Sequence, residues 1–136
     1  MSLPLKVLIV DDSLLLRERL CCSLERIDGI EVAGKACDVQ GGIEAFRRLQ
    51  PDVVVLDLQM PGGTGIDVLE VIKRENPATK VLILTNHPHP QLHTKCQDAG
   101  AEWFFDKTEE SGRVGEVLTG LVKERNLSRA QEDHRP

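Results

Sequence analysis

Five short apolar runs, separated by stretches of helical period, constrain the fold of this chain more than any other feature. The runs are "KVLIV" (6–10), "IEVAGKA" (30–36), "DVVVLD" (52–57), "KVLILT" (80–85) and "EWFFDK" (102–107). Between them, apolar residues recur three and four positions apart. They are Leu16, Leu20, Leu24 and Ile27; Val39, Ile43, Phe46 and Leu49; Ile66, Leu69 and Ile72; Leu92, Cys96 and Ala99; then Val114, Val117, Leu118 and Leu121. Strands that alternate with helices need crossover connections, so the strands lie parallel and helices cover both faces of the sheet. The expected architecture is α/β and doubly wound, with a five-stranded parallel sheet in the order 2-1-3-4-5. Ser13 is placed to cap the first helix, Asn76-Pro77 to stop the third and Gly100 to close the fourth. The polar end "NLSRAQEDHRP" (126–136) shows no apolar period, and reads as a frayed tail after a single domain over 1–125.

The third run raises the chemical question. Val53, Val54, Val55 and Leu56 form a strand apolar on both faces, and it runs straight into Asp57. A carboxylate there is costly to desolvate unless something pairs with it. In open α/β sheets ligands gather at the carboxyl ends of the strands. Those ends carry Asp11-Asp12 after the first run, Asp57 after the third, Thr85 after the fourth and Lys107 after the fifth.

Two carboxylates about 5 Å apart repel by about 3 kcal/mol at an effective dielectric near 20. Three of them stay ionised together only if cations join them. Lys107 brings one positive charge, and the remaining double negative charge matches one divalent ion. Oxygen ligands without histidine or cysteine favour Mg²⁺ or Mn²⁺ over zinc. A carboxylate beside such an ion, faced by a hydroxyl and an ammonium, suits covalent phosphoryl transfer. Asp57 would be the nucleophile, with Thr85 and Lys107 neutralising the oxygens of the transferred group.

The motifs "VLIVDDS", "VVVLDLQMPGGTG", "VLILT" and "FFDK", in this order and spacing, resemble the receiver domain of two-component response regulators. The likeness covers residues 5–123. It implies a flavodoxin-like (βα)5 fold and a phosphoryl group taken onto Asp57 from a histidine kinase or phosphotransfer protein. It also implies Asp12 as the principal metal-side carboxylate, Asp11 acting through water, and the backbone carbonyl of Gln59 as a further ligand. Thr85 would sense the phosphoryl group together with Lys107, and the coupling aromatic of the family falls on Phe104. The output face in relatives corresponds to residues 87–123, where a downstream protein or a phosphorylation-dependent dimer partner would bind.

Some residues depart from that pattern. The family usually follows its lysine with a proline in a cis peptide bond, whereas here Thr108 follows Lys107 and a trans bond is expected. Asn86 follows the switch threonine where the family generally has something smaller, and together with His87, at a variable rim position, it is expected to crowd the approach of water. "PGGTG" (61–65) lacks the lysine of a phosphate-binding P-loop, and reads as a loop beside the acid cluster. His87, His89 and His93 stand close in sequence, but a loop broken by two prolines has no ligand spacing.

Composition excludes several other classes. With 17 basic and 22 acidic side chains the formal net charge is −5, which argues against a nucleic-acid surface. No apolar run approaches the roughly 18 residues that span a bilayer, so no membrane span is expected. The first residues lack a signal-peptide pattern, and the four cysteines show no disulfide framework. A cytoplasmic protein with reduced thiols is the expectation. Aromatic residues make up 3% of the chain and there is no tyrosine, which leaves little to stack on a flavin. A haloacid-dehalogenase-type hydrolase would need a DxD pattern after the first strand and a cap. The chain reads instead as a stand-alone switch module rather than an enzyme, the alternative being a fragment of a longer regulator or hybrid kinase.

Overall fold

The computed structural model describes residues 3–86, 89–108 and 112–133. The elements follow as β1 (Leu5–Val10), α1 (Leu14–Glu25), β2 (Ile30–Ala36), α2 (Val39–Leu49), β3 (Val53–Leu56), β4 (Gln59–Met60), β5 (Gly63–Thr64), α3 (Gly65–Glu75), β6 (Lys80–Thr85), α4 (Pro90–Asp98), β7 (Trp103–Asp106) and α5 (Arg113–Asp133). The five long strands form one parallel sheet in the order β2-β1-β3-β6-β7, which is 2-1-3-4-5 when those strands alone are counted.

Alternation along the central strands explains why their sequences are apolar without a break. Leu8, Val10, Val54, Leu56, Val81 and Ile83 point to one core with Phe46 of α2, Leu69 and Ile72 of α3 and Cys96 of α4. Val7, Ile9, Val53, Val55, Leu82 and Leu84 point to the other, with Leu20 and Leu24 of α1 and Val114 and Leu118 of α5. A strand buried on both faces has no polar side, so periodicity vanishes and a run of β-branched residues remains. Burying each such side chain stabilises the fold by about 1.5–3 kcal/mol before conformational entropy is subtracted.

The helix signals act locally as their chemistry requires. Ser13 accepts the Leu16 N–H at 3.3 Å, and Asp38 accepts the Gly41 N–H at 2.6 Å, each satisfying a donor left open in a first turn. Thr64 and Asp67 cap α3 reciprocally. Gly100, at φ +105°, turns the chain after α4 into the approach to β7.

Two expectations need correction. The end of the chain is not a frayed tail from residue 126, because α5 continues to Asp133. No glycine or proline interrupts 121–135, and the helix is already nucleated on the core, so polar helix-forming residues extend it. Just before this stretch Arg125 anchors the helix, meeting Asp52 at 3.0 Å and the Pro4 carbonyl at 3.4 Å. The segment "PGGTG" is not an open loop either. Gly63–Thr64 pairs antiparallel with Gln59–Met60 in a short ribbon that leads into α3.

Candidate functional site

The carboxyl edge of the sheet gathers the predicted side chains. Asp11 follows β1 and Asp57 follows β3, and both are almost fully buried although charged. Asp12 is exposed at the rim. Pairing of β1 with β3 sets Val10 against Leu56, and the Asp57 N–H then donates to the Val10 carbonyl at 2.9 Å. The two acidic strand ends are thereby registered side by side. One carboxylate oxygen from each of Asp11, Asp12 and Asp57 can be chosen so that the three lie within 4.8 Å of one another.

Lys107 crosses the pocket from the end of β7. Its Nζ lies 2.7 Å from Asp11 Oδ2 and 3.1 Å from Asp57 Oδ2, with the side chain 9% exposed. Its backbone N–H donates to the Thr85 carbonyl at 2.9 Å, which anchors the lysine to the end of β6. Thr85 itself is fully buried there. The other oxygen of Asp57, Oδ1, accepts the Gln59 N–H at 3.3 Å.

The absence of a proline after Lys107 is handled by side-chain chemistry. The Lys107–Thr108 bond is trans. Asp106 Oδ1 accepts both the Thr108 N–H at 2.8 Å and its hydroxyl at 2.6 Å, so an Asx-type turn shapes the loop and lysine still reaches the pocket.

Electrostatics divide the pocket unevenly. Burial pushes the Asp57 carboxyl above the ordinary carboxylate range, and the neighbouring Asp11 charge adds to this. Lys107 and the Gln59 N–H only partly oppose them. For Lys107, burial alone would pull the ammonium down. The hydrogen bond to Asp11 and the charges of Asp57 and Asp11 outweigh it, so its affinity for a proton is raised. A third carboxylate at the rim leaves the pocket with three acids against one lysine. The donor set is all oxygen and its net charge is negative, which fits a hard divalent cation.

Other predicted residues lie on or next to β6, α4 and β7. Phe104 on β7 is half-buried against the core shared with α4, and His93 of α4 stacks on it at 4.6 Å with the rings 3° from parallel. His89 stands at the N-cap of α4 and Asn86 is exposed just beyond β6. His87, with residues 88 and 109–111 of the predicted output face, lies outside the described residues.

Two participants escaped sequence reading. Ser13, legible only as a helix cap, also donates its N–H to Asp11 Oδ1 at 2.8 Å. Gly65 at the start of α3 packs so close that a Cβ would overlap the Asp57 carbonyl and lie 2.9 Å from Leu58 Cα. The terminal glycine of "PGGTG" is thus demanded by close approach to the backbone of Asp57, which no local pattern reveals.

Fold and site together define a class: doubly wound α/β domains with an acidic pocket at the carboxyl edge and a buried lysine across it. The family model of the response regulator receiver domain matches residues 7–119. The chain belongs to that family, the phospho-accepting switches of two-component signalling. It is 32% identical over 118 residues to chemotaxis protein CheY of Thermotoga maritima, covering 87% of this chain and 98% of that protein. It is 40% identical over 108 residues to protein-glutamate methylesterase/protein-glutamine glutaminase 6 of Anaeromyxobacter dehalogenans, covering 79% of this chain. The chain spans only 31% of that relative and 39% of a Clostridium acetobutylicum protein of the same description. The crystal structure of the CheX–CheY–BeF3–Mg²⁺ complex from Borrelia burgdorferi is similar with a TM-score of 0.74 at 27% identity, covering 85% of this chain and 90% of that one. Among the described residues no helix is long and apolar enough to cross a membrane.

Proposed function

We propose that Asp57 accepts a phosphoryl group from a sensor histidine kinase or a phosphotransfer protein. In this reaction an Asp57 carboxylate oxygen forms the new bond to phosphorus as the bond from phosphorus to the donor's imidazole nitrogen breaks, and that nitrogen keeps the electron pair. The observation that carries the proposal is the buried Asp57 carboxylate held 3.1 Å from the Lys107 ammonium beside two further acids. Lys107 would balance charge on the phosphoryl oxygens, and the Thr85 hydroxyl, carried at the end of β6, is assigned to meet them. Asp12, Asp11, Asp57 and the backbone carbonyl of Gln59 would hold Mg²⁺, for which Mn²⁺ can substitute. The ion, when bound, supplies the positive charge that a phosphoryl group needs in an acidic pocket. The CheY complex with Mg²⁺ and BeF3 supports this choice of ion.

Phosphorylation would then change the face formed by α4, β7 and α5, within residues 87–123, for a downstream protein or a second copy. Phe104 is the candidate to relay the change. Neither nucleic acid nor membrane enters this scheme directly, and a cytoplasmic setting agrees with it. A specific observation favours a second arrangement, in which the chain is the regulatory receiver of a longer protein: the methylesterase relatives are about three times the length that it covers. The pocket chemistry is the same in both cases.

The test is incubation with Mg²⁺ and acetyl phosphate followed by intact mass. An increment of one phosphoryl group is expected in the unaltered chain, lost in Asp57→Asn and retained in Asp52→Asn, whose carboxylate serves Lys6 and Arg125 near the opposite edge of the sheet. Retention of the increment in Asp57→Asn would place the chemistry elsewhere.

A further inference from the structure

Arg17 lies on α1, one turn beyond its Ser13 cap, and is half-buried. Its Nη1 donates to the backbone carbonyl of Asp11 at 2.6 Å. With that bond every polar atom of Asp11 is engaged. Its N–H donates to the Ala36 carbonyl at 3.0 Å, Oδ1 accepts the Ser13 N–H at 2.8 Å, and Oδ2 meets Lys107 at 2.7 Å. Asp12 is the opposite case. It is exposed, and among the described residues no hydrogen bond or ion pair fixes its carboxylate. With no other contact to hold it, Asp12 takes from the backbone the direction of its Cα–Cβ bond, from which its rotamers reach the cluster. The carbonyl gripped by Arg17 belongs to the peptide plane that joins Asp11 to Asp12, and a rotation of that plane would carry the Asp12 oxygens out of the 4.8 Å cluster.

We propose that Arg17 is a positioning residue for divalent-cation binding, which pins the Asp11 carbonyl and so aims the Asp12 carboxylate at the ion. The proposal rests on the acidic pocket being a metal site, as inferred above. Its sign separates it from simple electrostatics. A guanidinium beside an acidic pocket repels a cation, so deleting its charge alone would tighten binding. Deleting the clamp loosens it, as loss of partners that orient metal ligands generally does.

Mn²⁺ titration of the whole chain, with free Mn²⁺ followed by electron paramagnetic resonance, decides between them. Arg17→Met is expected to weaken Mn²⁺ binding by about tenfold or more, and Arg17→Lys, which can still donate to Asp11, to recover most of it. In an Asp12→Asn background, Arg17→Met should cause little further loss, because the residue it acts through is already disabled. Metal-free circular dichroism checks that each variant is folded, and Arg17→Leu, which likewise has no donor, replaces Arg17→Met should the latter fail to fold. Equal or tighter binding in the folded variant overturns the proposal, as does an undiminished loss in the Asp12→Asn background. If the unaltered chain takes up no Mn²⁺, the metal site itself is refuted and the clamp with it.

Discussion

The pocket should destabilise the protein that carries it whenever no metal is bound, and Asp57→Asn measures by how much. One carboxylate oxygen of Asp57 and one of Asp11 lie within 4.8 Å of each other, a separation at which two unit charges repel by about 3–4 kcal/mol at an effective dielectric near 20. By the same arithmetic Lys107 at 3.1 Å returns about 5 kcal/mol, so the Asp11 charge alone would not tip the balance and burial, the largest cause, has to. Burial and Asp11 together win, since Asp57 holds its proton more tightly in the folded state than an ordinary aspartate. The sign follows from linkage. A carboxyl raised on folding contributes stability that is complete below its unfolded pKa, about 3.9, and is lost as pH rises through the folded value. At pH 7.5 the native protein therefore bears the cost of an ionised Asp57, and the isosteric asparagine does not. Lys107 keeps Asp11 at 2.7 Å in the variant, so it is not left unpaired. A net gain of about 1–2 kcal/mol is expected, which corresponds to about 3–8 °C in melting temperature for a domain of this size. Differential scanning calorimetry in EDTA should show that rise at pH 7.5 and little of it near pH 4. Saturating Mg²⁺ should narrow the gap, because an ion that binds the native chain more tightly stabilises it more. An unchanged or lower melting temperature for Asp57→Asn at pH 7.5, or a gain equal at both pH values, would refute the electrostatic account.

Gly65→Ala places a methyl group against the backbone of Asp57 and Leu58, and backbone cannot rotate aside as a side chain would. Urea denaturation should register a loss of about 1–3 kcal/mol, and a variant of unchanged stability would show that α3 does not rest on Asp57 as described. Glu102→Gln breaks a pair in which Lys73 Nζ lies 2.5 Å and 2.9 Å from the two carboxylate oxygens, both side chains being largely buried. Lys73 keeps the Thr79 carbonyl at 2.7 Å, so the expected loss is about 1–3 kcal/mol, also read by urea. A loss within error would mean that the pair is too well hydrated to matter.

The parts of the molecule written in the sequence are those fixed by burial on both faces. Val53–Leu56 can only be an interior strand, and a strand that ends in Asp57 at the carboxyl edge already locates the site. Registry between strands then brings Asp11 and Asp57 together without further instruction, because Val10 and Leu56 are partners. What the chain did not disclose depends on neighbours distant in sequence or on weak propensities. Gly65 is required by the Asp57–Leu58 backbone, against which the ribbon at 59–64 folds the chain back. The last turns of α5 carry no apolar stripe, and Leu127 is left 65% exposed. Only the absence of a helix breaker, with the Arg125–Asp52 contact, distinguishes them from a tail.

The loop after Lys107 shows how one departure from a family pattern can be compensated by its neighbours, and it makes a counterintuitive prediction. Thr108 stands where relatives usually carry proline, so Thr108→Pro would seem a return to type. Here, however, Asp106 Oδ1 holds the Thr108 N–H at 2.8 Å and its hydroxyl at 2.6 Å. Proline has neither donor, and its ring would replace both bonds with nothing. Each such bond contributes about 0.5–1.5 kcal/mol, towards the low end because Thr108 is exposed. The variant should therefore melt lower than the native chain, by about 1 kcal/mol in stability, and it should react more slowly with acetyl phosphate as Lys107 loses the turn that aims it. Thr108→Val, which keeps the N–H and removes only the hydroxyl, should lose about half as much. If Thr108→Pro instead melts higher and reacts faster, the Asx turn is incidental and the lysine is held from the Thr85 side alone.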